Sequence, residues 1–213
     1  IFTGAMCADS FHLARKVKMI KPEERSYLKR ELHIEKKEII YLYVGQLITR
    51  KGVSYLLEAW KEHILNYPSD HLLIVGEGPL YNDFIQGYGS MNSISFVGNI
   101  DYSQISEYYA IADVFVIPTL EDNWSLVVPE AMACGLPIAC SIYNGCYPEL
   151  IHEGENGVLF DTLDRTSLLN ALAYFHLVDL KIFGEKSMKI EREYNPQNTA
   201  RNIFKAIQSI TKI

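Results

Sequence analysis

From residue 39 onward, short runs that are apolar at nearly every position alternate with longer stretches whose apolar residues recur every three or four positions. The short runs are 39–44 (IIYLYV), 71–75, 94–97, 114–117, 138–141 and 157–160, and Gly45, Gly76, Gly98 and Pro118 stop four of them. Runs of this length without polar alternation predict strands buried on both faces. Between the first two, Val53, Leu56, Leu57, Trp60, Ile64 and Leu65 fall on one face of a helix over 53–65. Further helices are predicted over 80–86, 103–111 and 126–133, and residues 166–213 read as mostly helical. Strands and helices in alternation predict an α/β domain with a doubly wound parallel sheet. In such sheets ligands sit beyond the carboxyl ends of the strands. Loops 45–52, 76–79, 98–102, 118–125 and 141–147 are therefore where chemistry is expected. Residues 1–38 show little periodic apolar pattern and are expected to be a linker. Starting at Ile1 rather than Met, the chain reads as part of something longer.

Composition narrows the partners. The chain has 213 residues, 48% hydrophobic and 22% charged, values that predict an ordered globular domain. A net charge of −6 argues against a general attraction to nucleic acid or anionic lipid, so any anion site must be local. The longest apolar stretches fall far short of the ~20 residues that span a bilayer, and no transmembrane segment or signal peptide is expected. Cys7, Cys134, Cys140 and Cys146 form no C-x-x-C pair and are expected to be buried thiols. The six histidines are never three or four apart and none pairs with a cysteine at ligand spacing, so no metal site is expected.

Three loops carry candidate chemistry. In 45–52, Gly45 and Gly52 are expected to let the backbone approach a ligand, Arg50 and Lys51 add positive charge, and N–H groups opening the next helix favour an anion such as phosphate. Two solvated cations in a turn is the alternative, and the P-loop order is absent. Gly76-Glu77-Gly78-Pro79 is a tight turn with Pro79 suited to the first helical position. In the third loop Ser125 is expected as N-cap, with the N–H groups of Leu126 and Val127 facing an anion. Glu130, one turn in, could accept from a ribose diol, and Asp122 could meet a sugar hydroxyl. The alternative is an acidic cluster complementing the helix dipole, which suits Glu121 best and Glu130 least.

Asp122-x7-Glu130 followed by Ala131-Met132-Ala133-Cys134-Gly135-Leu136-Pro137 resembles the E-x7-E signature of the retaining glycosyltransferases of family 4. Val44-Gly45-Gln46-Leu47 with Arg50-Lys51-Gly52 is similar to that family's V-G-R-L-x-x-x-K-G, and Gly76-Glu77-Gly78-Pro79 to its G-x-G-P turn. Phe96-Val97-Gly98, the block 112–118 and Gly154-Glu155-Asn156-Gly157 also match, so the resemblance runs in order over about 39–160.

The resemblance implies the C-terminal half of a GT-B fold: a linker over 1–38, a Rossmann-like donor-binding domain over 39–195, and a final helix over 196–213 crossing back to an N-terminal domain. It implies a hexosyl-transferring enzyme of polysaccharide biosynthesis, inactive without that domain. It needs no cofactor, and its donor is a UDP- or GDP-type sugar. Lys51, with Gly45, Gln46, Arg50 and Gly76 around it, would meet the diphosphate. Gly98, Asn99 and Ile100 would meet the base, and the N–H groups of Ser125, Leu126 and Val127 the phosphates or sugar. Glu130 would hold the ribose and Asp122 the transferred sugar, making Asp122, Lys51 and Glu130 the catalytic candidates. The absence of a D-x-D pair agrees with metal-independent transfer. The acceptor would be a saccharide, lipid-linked or not, held by the other domain. The setting would be cytoplasmic, with attachment at the inner membrane face through that domain. Gln46 stands where the family has arginine, Asp122 where it has glutamate, and Ser125 where it has glycine. These departures keep open a nucleotide-binding module without turnover, and a nucleotide-sugar epimerase of the same fold is the other alternative.

Overall fold

A computed structural model describes residues 10–211. Six strands, β1 (Ile40–Val44), β2 (His71–Val75), β3 (Ile94–Gly98), β4 (Val114–Ile117), β5 (Ile138–Ser141) and β6 (Gly157–Phe160), form one parallel sheet in the order β3-β2-β1-β4-β5-β6. Four strands, β1, β2, β4 and β5, are buried over nearly their whole length, which is why their sequences lack polar alternation. β1 occupies the middle, pairing Ile40 with His71 through Val44 with Val75 on one side, and Tyr41 with Val114 on the other.

Five helices connect the strands or follow the sheet: α3 (Val53–Asn66), α4 (Tyr81–Tyr88), α5 (Ile105–Ile111), α6 (Val127–Ala133) and α7 (Arg165–Tyr174). Helix α3 buries Val53, Leu56, Leu57 and Trp60 as its periodicity predicts and adds His63, whereas Leu65, at the end of the helix, is exposed. The C-terminal region folds as α8 (Leu180–Glu191), a single 3-10 turn and α9 (Pro196–Thr211). Helix α9 leaves Ile203, Phe204, Ile207 and Ile210 exposed along one side. Among the described residues, no helix is long and apolar enough to cross a membrane.

The segment expected to be a linker carries two helices. Residues 10–38 contain α1 (Phe11–Met19) and α2 (Pro22–Glu31), which pack against α5. Glu24 accepts from the Lys21 N–H at 2.8 Å, with Pro22 opening α2, and Arg25 Nη2 clips α2 to the Val17 carbonyl at 3.0 Å. Only Leu13 and Val17 of α1 are buried hydrophobics, and α2 buries no residue, so the apolar stripe is too sparse to show as periodicity. Cys140 and Cys146 are buried free thiols and Cys134 is half-buried. Cys7 lies outside the described residues, as do the first nine positions of the linker segment and the last two of the final helix.

Candidate functional site

The winding direction of the sheet reverses between β1 and β4, and the loops leaving these strands diverge there. The backbone stitches the β1, β2 and β3 loops together. Gly45 N–H donates to the Val75 carbonyl at 3.0 Å, Leu47 N–H to Glu77 at 2.9 Å, and Gly76 N–H to Gly98 at 2.9 Å. A crevice of about 620 Å3 lies over these strand ends, and its lining includes Gly45, Gln46, Gly76, Asn99, Ile100 and Glu130. A smaller hollow of about 260 Å3 is bounded by Arg50, Glu121, Asp122, Asn123 and Trp124. A larger hollow of about 790 Å3 lies between α1, α2 and α5, away from these loops.

Two of the loop glycines are required by contacts between the loops themselves. Gly52 has φ of 68°, and a Cβ there would lie 1.9 Å from the Pro118 carbonyl oxygen. A Cβ on Gly76 would lie 2.0 Å from the Gly45 carbonyl oxygen. These glycines let loop backbones pack on each other, which brings the β1 and β4 loops close enough for their side chains to meet.

Lys51, ending a one-turn 3-10 helix, pairs through Nζ with Asp122 Oδ2 in the β4 loop, and both side chains are largely covered at 15% and 12% exposure. Asp122 is held from several directions. Its Oδ1 accepts from Trp124 N–H at 3.2 Å, its own N–H donates to the Tyr143 carbonyl, and its carbonyl accepts from Gly145 N–H at 2.7 Å. Burial pushes the Asp122 carboxyl up, but the bonds from Lys51 and Ser125, the Lys51 charge and the Trp124 N–H outweigh it, holding the group below the ordinary range. Arg50 is exposed and tied to the β4 loop: its Nη1 donates to the Glu121 carbonyl at 2.8 Å, and its own carbonyl accepts from Leu120 N–H at 2.9 Å. Arg50 thus fastens the β4 loop.

Ser125 is not the N-cap. Helix α6 begins at Val127 with Leu126 as cap, and no side chain bonds back to the first turn. The Ser125 hydroxyl is buried, accepting from Asn144 Nδ2 at 3.0 Å and bonding the Asp122 carboxylate. Partners inside the loop cluster win over the helix terminus because a buried hydroxyl must be satisfied. The Val128 N–H donates to the Ser125 carbonyl at 3.0 Å and Pro129 has no N–H. This leaves the Leu126 and Val127 amides as the ones in the first turn without an intrahelical acceptor. Val127 lines the crevice, whereas the Leu126 side chain is exposed.

Glu130 takes hydroxyl hydrogen bonds from Tyr102 on Oε1 at 2.9 Å and from Tyr109 on Oε2 at 3.3 Å. Burial raises its pKa, and the two hydroxyls only partly offset that. The fold therefore brings Gly45, Gln46, Gly76, Asn99, Ile100, Val127 and Glu130 to one crevice, with Gly98 buried at the end of β3. It brings Lys51, Arg50 and Asp122 to a second cluster, with Ser125 beneath. Sequence reasoning missed Tyr102, Tyr109 and Asn144. The Asn144-Gly145 turn was a readable signal for the last, whereas nothing in the local pattern joins the two tyrosines to Glu130.

The family model of glycosyl transferases group 1 matches residues 24–187, and the chain belongs to that family. It is 29% identical over 188 residues to a UDP-Gal:alpha-D-GlcNAc-diphosphoundecaprenol alpha-1,3-galactosyltransferase of Escherichia coli, a match covering 85% of this chain and 46% of that one. It is 28% identical over 142 residues to the alpha-monoglucosyldiacylglycerol synthase of Acholeplasma laidlawii, covering 65% of this chain and 35% of that one. The chain thus spans between about a third and a half of these curated relatives. Among solved structures it is similar to a sucrose-phosphate synthase from Thermosynechococcus elongatus, with 28% identity, a TM-score of 0.71, and coverage of 91% of this chain and 50% of that one. Anabaena Alr3699/HepE, solved in complex with UDP, shares the fold at a TM-score of 0.73 and 19% identity, covering 89% and 54% of the two chains. The sheet and its flanking helices are those of GT-B glycosyltransferases.

Proposed function

We propose that this chain is the donor-binding, C-terminal domain of a retaining, metal-independent glycosyltransferase of the family 4 type, taking a UDP- or GDP-type sugar as donor. The observation that carries this reading is the pairing of Lys51 with Asp122 at the strand ends that also carry the Glu130 crevice. The relatives' names support a nucleotide-sugar donor, and the UDP complex of a protein with the same fold supports a nucleoside diphosphate as ligand.

In this reading an incoming diphosphate draws Lys51 away from Asp122. The ammonium then faces charge that grows on the leaving diphosphate, and the released Asp122 carboxylate accepts from a hydroxyl of the transferred sugar. The Leu126 and Val127 amides add donors on the same side. Gly98, Asn99 and Ile100 border the base, with Ile100 contacting it through its backbone. Glu130 exchanges its Tyr102 contact for the ribose diol. The exposed apolar side of α9, formed by Ile203, Phe204, Ile207 and Ile210, would dock on an N-terminal domain that holds a saccharide or lipid-linked saccharide acceptor.

Holding donor and acceptor in line can supply ~7–11 kcal/mol of a barrier, so the chain alone should transfer no sugar, and pairing it with a matching N-terminal domain should give turnover. The test is a transfer assay with and without that domain, the product's anomeric configuration read by NMR. Retained configuration in the paired protein, unaffected by a metal chelator, is expected. Inverted product, or efficient transfer by the chain alone, would overturn the reading.

A further inference from the structure

A second cluster of ligand-type side chains lies at the opposite end of the sheet from the crevice. Asp70 immediately precedes β2, His63 lies in the last turn of α3, and His176 follows α7. His63 and Asp70 are seven residues apart and His176 lies more than a hundred residues further on, yet their ligand atoms all come within 4.8 Å of one another. His63 Nε2 and His176 Nε2 each lie 2.8 Å from the same oxygen, Asp70 Oδ2. Asp70 and His63 are buried, and His176 is 11% exposed at the rim.

Hydrogen bonding alone leaves this cluster unbalanced. One oxygen of Asp70 serves both imidazoles, while Oδ1 is fully buried and has no hydrogen-bond partner. A buried carboxylate with an unpartnered oxygen is costly, and a bound cation would balance its charge. The rings are also oriented in advance. Tyr67 stacks on His63 at 4.8 Å and on His176 at 4.1 Å between centroids. Glu38 Oε1 lies 3.5 Å from His176 Nδ1, the place where an outer carboxylate fixes the tautomer that presents Nε2 to a metal.

We propose that His63, Asp70 and His176 bind one divalent transition-metal ion of the zinc class. Two imidazoles and a carboxylate are a donor set that zinc accepts, with its fourth position left to water at the His176 rim. Metal–ligand bonds of about 2.0 Å in a tetrahedron separate the donor atoms by about 3.3 Å, so each 2.8 Å His–Asp pair needs to open by about 0.5 Å, while the two imidazole nitrogens already lie within 4.8 Å of each other. The ion would tie the end of α3 and the start of β2 to the segment after α7. Lying away from the crevice, the site is independent of the transfer reaction proposed above.

The test is titration of the untagged full chain with Co2+, followed by displacement with Zn2+. One equivalent of Co2+ should give saturable visible d–d absorption without the strong thiolate charge transfer that cysteine ligation would add. His176→Gln, a change at the rim, should weaken Co2+ binding tenfold or more while retaining a cooperative melt, and Asp70→Asn should do the same if it folds. Zn2+ should raise the Tm of the wild type and leave that of His176→Gln unchanged. No saturable absorption, thiolate charge transfer, or equal affinity in His176→Gln would each overturn the assignment.

Discussion

Replacing Glu130 separates its two roles in stability and in nucleotide binding. The Tyr109 hydroxyl is buried, with the residue 1% exposed, and donates to Glu130 Oε2. Glu130→Ala removes that acceptor and should cost about 1–3 kcal/mol of stability. In a chain of this size each kcal/mol lowers Tm by about 2–4 °C. If Glu130 also holds the ribose diol, the same change removes hydrogen bonds to a charged group, worth about 1.5–3 kcal/mol of nucleotide affinity. That corresponds to a Kd roughly 10- to 150-fold weaker. Glu130→Gln isolates the binding term: its amide oxygen can still accept from Tyr109, so Tm should stay within about 4 °C of wild type. Binding should still fall at least tenfold, because an amide offers one acceptor oxygen and no charge. Tyr102→Phe frees Oε1 of a competing hydroxyl and should tighten binding by about 0.5–1.5 kcal/mol. The raised pKa of Glu130 adds a pH signature: affinity should decline as pH falls through a value above the ordinary glutamate range, and Glu130→Gln should lack that decline. Calorimetric titration at several pH values and thermal melts read all of these. Wild-type affinity in Glu130→Gln would refute the ribose role and leave Glu130 as a structural partner of the tyrosines.

Asp122→Asn removes the anion that competes for Lys51, so bare UDP should bind about tenfold tighter, a gain of about 1.4 kcal/mol. The advantage of the UDP-sugar over UDP should shrink, and weaker UDP binding in the variant would contradict the exchange of partners. His71 is held neutral, burial first and then Lys37 lowering its pKa from 6.5 to about 4. The unfolded chain takes up this proton first, so the stability is complete above pH 6.5 and is lost as pH falls toward 4, about 3 kcal/mol in all. Denaturant melts of His71→Gln should show a shallower pH slope across that window, and an unchanged slope would reject the assignment. Gly52→Ala forces a Cβ toward the Pro118 carbonyl at a left-handed φ and should cost about 2–5 kcal/mol; a melt within 1 °C of wild type would show that the loops have room to shift.

The strands were legible because a parallel sheet covered on both faces demands apolar runs, and 71–75, 114–117, 138–141 and 157–160 stand where the pattern predicts them. Helices α1 and α2 were not legible, because they rest on the domain with few buried side chains. Lys51 and Asp122 were readable as candidates from charge and loop position, but their direct pairing depends on Gly52 letting the β1 and β4 loops approach. The N-cap expectation for Ser125 failed for a tertiary reason: Asn144 and Asp122 reach its hydroxyl from outside the helix. The His63–Asp70–His176 cluster was invisible to spacing rules because His176, distant in sequence, reaches the nearby pair His63 and Asp70 only where α3 packs against α7.

Whether a nucleoside diphosphate uses Lys51 decides the donor-site assignment. Calorimetric titration of UDP and GDP into the wild-type chain and Lys51→Ala tests this. One of the two nucleotides should bind the wild type with Kd between roughly 10 μM and 1 mM, about −4 to −7 kcal/mol. Lys51→Ala should weaken that binding at least tenfold while still melting cooperatively. Absence of binding by either diphosphate at millimolar concentration, or equal affinity in Lys51→Ala, would contradict the donor-site assignment.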